Sequence, residues 1–175
     1  MSLHDSPQLT FKPLEQSHLD LLCKWMNKPH VKEWWNDGLT CLQIKEKYQR
    51  RVGGATILPF IVYLDKRPIG FIQYYFADKV DDVPWIHERE GVVGIDQFIG
   101  EEDLINQGLG TQMIKGFIEK LAVKASIKKI ITEVDPRNLR AQRCYEKVGF
   151  SFAKEVITPD GPAYLMEIEI NNEPI

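Results

Sequence analysis

The sequence predicts a mixed α/β fold, a twisted sheet of six or seven strands flanked by about four helices. Three observations lead there. Short runs rich in β-branched and aromatic residues recur along the chain from residue 10 to residue 170. Two of them, residues 57–64 and 69–76, are separated only by Asp65-Lys66-Arg67-Pro68, a compact turn that makes an antiparallel hairpin. From residue 91 to 150 the pattern is strand, glycine-bearing loop, helix, strand, helix, and a βαβα order brings parallel pairing and covered sheet faces. With 175 residues, 43% hydrophobic and 27% charged, the chain can bury one sizeable core, so a single domain over residues 1–175 is expected.

Each element has its own signal. Residues 10–14 alternate as a short strand. Ser17 is placed to cap the next helix, with Asp20 at its third position, and Leu21, Leu22, Trp25 and Met26 form a buried stripe ending near Asn27. Residues 28–39, rich in aromatic and turn-forming side chains, read as a loop. Thr40 and Gln43 have capping-box spacing for a second helix to about Arg51, whose thin stripe of Ile44, Tyr48 and Val52 predicts partial exposure and mobility. After the hairpin and a polar stretch at 77–90, residues 91–99 form a strand interrupted by glycine and carrying one acid, Asp96. Residues 108–125 form a strong amphipathic helix on Leu109, Met113, Phe117 and Leu121. Residues 129–134 read as a buried strand and 138–148 as a helix, which Gly149 ends at the C′ position. Strands at 150–157 and 163–170, joined by the turn Pro159-Asp160-Gly161-Pro162, close the chain.

Composition excludes several classes. A net charge of -3 and a pI near 5.8 lack the basic excess of a nucleic-acid binder and favour a cationic small molecule. Cys23, Cys41 and Cys144 are an odd count without Cys-x-x-Cys spacing, so neither a disulfide framework nor a zinc site is expected, and the reducing cytoplasm fits. His4, His18, His30 and His87 are scattered, which predicts no metal site. The first ten residues are polar, and no apolar run approaches the roughly 20 residues of a membrane helix. No membrane partner is expected.

The loop Asn106-Gln107-Gly108-Leu109-Gly110-Thr111 opens the long helix, so main-chain N–H groups and the positive helix end face the crevice at the strand ends. Gly108 and Gly110 would let a diphosphate approach the backbone, or they make only a tight turn before the helix. Asp96, alone in an apolar strand, is either a proton acceptor or a paired or solvent-facing structural acid. Trp34 and Trp35 sit in a loop where two large aromatics can wall a pocket for a cation, and Trp34 is the one expected to plug the hairpin instead. Cys144 reads as an inert helical thiol.

The same residues resemble the GNAT superfamily of acetyltransferases. Gly108-Leu109-Gly110 matches its loop of the Gln/Arg-x-x-Gly-x-Gly/Ala type, although Ile105 stands where a leading Gln or Arg belongs. The run from Asn138 to Phe150 matches its second signature more fully. Within the superfamily, Val31-Lys32-Glu33-Trp34-Trp35, Gly94-Ile95-Asp96-Gln97 and residues 138–150 look like the aminoglycoside 6′-N-acetyltransferases. The run from Gly94 to Gly100 also resembles acyltransferases of siderophore precursors.

The resemblance implies an acetyl-CoA-dependent transfer to a primary amine of an aminoglycoside or similar polyamine. The alternatives are acylation of a siderophore precursor and a non-catalytic acyl-CoA sensor. Acetyl-CoA would lie between two splayed middle strands, touching Gln97, Phe98 and Ile99, the loop from Gln107 to Thr111, and Asn138 and Ala141. Asp96 would take the ammonium proton and Tyr145 would protonate the departing thiolate, with no acyl-enzyme. Trp34, Trp35, Asp96, Glu133 and Asp160 would bind the amine. Arg89 stands where those enzymes carry an acid and would repel a polyamine unless paired with Glu88 or Glu90. Exposed sheet edges leave monomer and homodimer both open.

Overall fold

The computed structural model describes residues 8–35, 38–81 and 83–171. Seven strands form one sheet in the order β1-β2-β3-β4-β5-β7-β6. They are β1 (Leu9–Pro13), β2 (Ile57–Leu64), β3 (Arg67–Phe76), β4 (Val92–Ile99), β5 (Lys129–Val134), β6 (Ser151–Thr158) and β7 (Gly161–Glu169). Every adjacent pair is antiparallel except β4 and β5, the parallel pair joined through the crossover helix.

Among the described residues, five α-helices cover it: α1 (Leu19–Met26), α2 (Pro29–Lys32), α3 (Cys41–Gln49), α4 (Leu109–Ala122) and α5 (Leu139–Val148). Side-chain alternation along the strands sorts the core by face. Phe60, Ile72, Tyr74, Val93, Ile95 and Ile130 pack with Met113, Ile114 and Phe117 of α4 and Tyr145 of α5. Ile61, Phe71 and Phe98 face the other way, against Leu22 and Trp25 of α1 and Ile44 and Tyr48 of α3. Beyond them on that face, Ile131, Val156 and Leu165 bury Ala77 and Val83 of the segment between β3 and β4. That segment reads as polar in sequence, yet it helps build the core.

Four expectations change. Glu15, not Ser17, caps the first helical segment: its side chain accepts the His18 N–H, and its own N–H reaches His18 Nδ1 at 3.0 Å. Ser17 lies inside the resulting 3-10 turn, and the imidazole takes the role a Glu or Gln plays in the usual box. The loop at 28–39 contains the short helix α2, started by Pro29, whose fixed φ suits the first helical position. The second helix is anchored more firmly than its thin stripe suggests, because Tyr48 is fully buried against Phe71. Cys23 and Cys41 are joined in a disulfide between α1 and α3, with Cα atoms 5.5 Å apart. The packing of α1 on α3 brings together two cysteines whose separation of 18 residues gives no motif.

Other expectations stand. Thr40 caps α3, its hydroxyl accepting the Gln43 N–H at 3.3 Å while the Gln43 side chain accepts the Thr40 N–H at 2.9 Å. Gly149 ends α5 at φ 117°, donating to the carbonyls of Tyr145 and Glu146.

Candidate active site

The site begins with a broken pairing. β4 and β5 are bonded only from Val92 to Gly94 and from Lys129 to Ile131, after which β4 runs on to Ile99 and β5 to Val134 without meeting. Gly94 permits this crossing point: a Cβ there would fall 2.1 Å from the Tyr75 ring, which lies over it from β3. The Gly100 N–H donates to the Ile69 carbonyl at 2.8 Å, so strand alternation turns the main chain of Asp96 and Phe98 toward β3 and that of Gln97 and Ile99 into the gap. The Ile99 carbonyl is met there by His30 Nε2 at 3.0 Å. Phe98 is turned from the gap altogether, since its ring stacks on Phe71 and meets Trp25 and Trp35 edge-on.

A cavity of about 660 Å³ opens at the gap. Asp96 reaches it from the face of the sheet that carries Phe98, and Glu133 joins from β5. Tyr145 and Gln97 approach from the opposite face. Tyr145 is 4% exposed and packs edge-on against Phe150. Burial holds its phenol far above the ordinary tyrosine range; a hydrogen bond with Thr132 is the main influence pulling the other way, the Asp96 charge adds to the rise, and a hydrogen bond with Gln97 lowers it less. The hydroxyl therefore stays protonated across all working pH.

Asn138 caps α5, its side-chain oxygen accepting the Ala141 N–H at 3.1 Å, and both residues line the cavity. The predicted anion loop does not line it. Gly108 is the N-cap of α4 at φ 77°, a left-handed conformation with open space where a side chain would stand. Leu109 is buried, so only its main chain remains available. Gly110 has a packing reason as well, because a Cβ there would sit 3.4 Å from Cys144 Sγ. Thr111 Oγ1 lies 3.4 Å from the same sulfur, and the Gln107 side chain is tied to the Asp103 carbonyl. Burial raises the Cys144 thiol pKa, which suits an inert role.

Trp34 and Trp35 both line the cavity, and it is Trp35, not Trp34, that also packs edge-on against Phe71 and Phe98 at 5.7 and 5.1 Å and so serves as the plug. Glu133 accepts a hydrogen bond from Trp85 Nε1 at 3.2 Å, and Asp160 stands exposed at the rim in the β6–β7 turn. Arg89 pairs with neither neighbouring glutamate; it donates to the carbonyls of Val80, Val83 and Ile86 and so organises the segment before β4. It does not line the cavity.

The lining acids Glu33, Asp96, Glu133, Asp135 and Asp160 outnumber the cations Lys47, Arg51 and Arg137. Arg137 is already engaged by Asp135, through bonds of 3.0 and 2.7 Å that hold this carboxyl below the usual carboxylate range. Such a cavity attracts a cation. Sequence reasoning missed Gln73, Arg51 and Trp85. Gln73 carried a usable signal, a lone polar residue in an apolar strand, the same one that marks Asp96.

Residues 15–158 match the family model described as an acetyltransferase (GNAT) domain. The chain belongs to the GNAT acetyltransferase family. It is 36% identical over 168 residues to aminoglycoside N(6')-acetyltransferase type 1 of Klebsiella pneumoniae, covering 93% of this chain and 84% of that protein. A crystal structure of aminoglycoside acetyltransferase AAC(6')-Ib with coenzyme A and kanamycin superposes with a TM-score of 0.85 at 36% identity, over 93% of this GNAT chain and 95% of the other. AAC(6')-Ib in complex with ribostamycin and coenzyme A gives 0.86 at 35% identity, over 93% of each chain. Among the described residues, no helix of this acetyltransferase is long and apolar enough to cross a membrane.

Proposed function

We propose that this protein is an acetyl-CoA-dependent N-acetyltransferase that acetylates a primary amine of an aminoglycoside or similar polyamine. The observation that carries the reading is the meeting of Asp96 and Tyr145 in one acid-lined cavity, from opposite faces of the sheet, where β4 and β5 part. The relatives that act on aminoglycosides, and the matched structures holding coenzyme A beside kanamycin or ribostamycin, support the same pairing of substrates.

The residues fit acetyl-CoA. Main-chain groups of Gln97 and Ile99 would flank its extended arm in the gap. The N–H groups at the start of α4, unpaired within the helix, would meet its diphosphate from the open backbone at Gly108. With Ile105 at the leading position, main-chain donors carry that contact. The acceptor ammonium would lie among Asp96, Glu133 and Asp160, with Trp34 as one wall. Asp96 takes its proton, directly or through water, and frees the lone pair to attack the thioester carbon. As the carbon–sulfur bond breaks, the Tyr145 O–H protonates the leaving thiolate, the second proton of the attacking nitrogen returns to the phenolate through water, and the first, held by Asp96, passes to solvent. Every group in this scheme belongs to one chain, so monomer and homodimer serve it equally.

Thiol release from acetyl-CoA with kanamycin, spermidine and lysine as acceptors tests the assignment, with mass spectrometry locating the acetyl group. Kanamycin should gain it on the 6′-amine. Asp96→Asn should lower kcat/KM by about 10²–10⁴-fold with coenzyme A affinity unchanged. Turnover with no amine in the panel, or an undiminished Asp96→Asn, would remove the reading.

A further inference from the structure

Gln73 stands directly opposite Asp96 in the β3–β4 register and is 6% exposed, one of two polar side chains buried among the described residues. Its amide is bonded at both ends. Arg51 Nη1 donates to Oε1 at 3.0 Å, and Nε2 donates to Asp96 Oδ2 at 3.0 Å. A guanidinium cannot accept and an ionised carboxylate cannot donate, so only one orientation of the amide satisfies both neighbours. Arg51 therefore decides which end of Gln73 meets Asp96. The guanidinium is itself placed, 4.9 Å from the ring centroid of the fully buried Tyr48 on α3.

We propose that Gln73, oriented by Arg51, is a positioning residue that fixes the rotamer and the ionised form of the Asp96 carboxylate; the proposal rests on Asp96 being the base. A carboxylate on a strand can rotate about two bonds, and a buried donor locked on one oxygen fixes how the group is presented to the cavity. The chain from Tyr48 through Arg51 and Gln73 also links the seating of α3 to the alignment of the base. The other titratable or charged groups that line the cavity with Asp96 are Glu33, Lys47 of α3, Tyr75 of β3, Glu133 and Asp135 after β5's divergence from β4, Arg137, Tyr145 of α5 and Asp160. Arg51 is the cation bonded to Gln73 itself, which makes the polarity of the amide matter.

The test compares Gln73→Met, Arg51→Met and Arg51→Lys with Asp96→Asn, using two readouts. One is the carbon-13 titration of the Asp96 carboxyl, assigned by its loss in Asp96→Asn; the other is the pH profile of kcat/KM. Gln73→Met should raise the Asp96 pKa and the acid limb by about one unit, because a hydrogen bond to the charged form is lost. It should lower kcat roughly tenfold and leave KM for acetyl-CoA within about twofold. Arg51→Met should shift both in the same direction by less, and Arg51→Lys, which restores a donor, should recover most of the shift. If Gln73→Met fails to fold, the Arg51 pair at a half-buried site reads the same link. An unmoved titration and acid limb beside an inactive Asp96→Asn overturns the proposal alone. Full turnover of Asp96→Asn overturns the base assignment and this proposal together.

Discussion

At the scale of single residues, the proposed mechanism divides acid and base work between Tyr145 and Asp96 by environment. Asp96 is half-buried beside a locked donor, whereas Tyr145 is buried with its phenol held far above the ordinary range. A phenol that is protonated at rest throughout the working range can donate once per cycle and be restored before the next, and it leaves no limb of its own in a rate profile. Tyr145→Phe should lower kcat by about 10–10³-fold with little change in KM for either substrate. Since the raised pKa keeps the wild-type hydroxyl protonated as pH rises, steady-state rates of the wild type up to about pH 10 should show no alkaline fall that Tyr145→Phe abolishes. Such a fall would mean that Tyr145 ionises and is not the acid. The place of Asp96 and Tyr145 at the cavity was legible from the sequence because each breaks a local pattern or sits in a matched signature. Which of Trp34 and Trp35 joins the core was not, since adjacent aromatics look alike until Phe71 and Phe98 choose one as a partner.

At the scale of elements, the strands and long helices were legible because period-two and period-3.6 patterns and the caps at Thr40 and Gly149 agree with their burial. What could not be read was how α1 and α2 attach to the end of β4. That attachment is polar: Trp25 Nε1 donates to Glu101 Oε1 at 2.7 Å, and Lys28 and Arg67 meet the other carboxylate oxygen at 3.2 and 3.4 Å. Glu101 is thus the knot that ties the first helix to the strand carrying Asp96. The Trp25 hydrogen bond, with help from Lys28 and Arg67, holds its carboxyl below its ordinary value of 4.5. A depressed folded-state pKa means the stabilisation is complete above 4.5 and is lost as pH falls through the lower folded value. Glu101→Gln should therefore cost about 1–2 kcal/mol at pH 7, and urea unfolding should show the deficit shrinking as the pH falls below about 4. A deficit independent of pH would assign the loss to packing instead.

At the scale of the whole molecule, the seven-stranded sheet is paired throughout except where β4 and β5 diverge. The N-terminal half, with its helices α1 to α3, and the C-terminal half, from β5 onward, share β4–β5 pairing over only three residues on each strand. A ligand lying in the gap would join the halves and supply the bonds that the diverging strands cannot make. Coenzyme A should then act as a structural element as well as a substrate, raising the melting temperature in proportion to the logarithm of its concentration. At about 100 times its Kd the gain is about 2.7 kcal/mol, or roughly 5–10 °C for a chain of this size. In the proposed binding mode the loop before α4 contributes, and there the conformation of Gly108 is the critical term, since φ 77° costs a side-chain-bearing residue about 1 kcal/mol although the space around it is open. Gly108→Ala should lower the melting temperature of the free protein by about 2–4 °C. If the added methyl group relaxes the loop, the helix N–H groups swing from the diphosphate, and the coenzyme-induced shift should shrink by more than the loss in the free protein. Equal shifts in wild type and variant, measured by scanning calorimetry over a coenzyme A series, would place the diphosphate elsewhere.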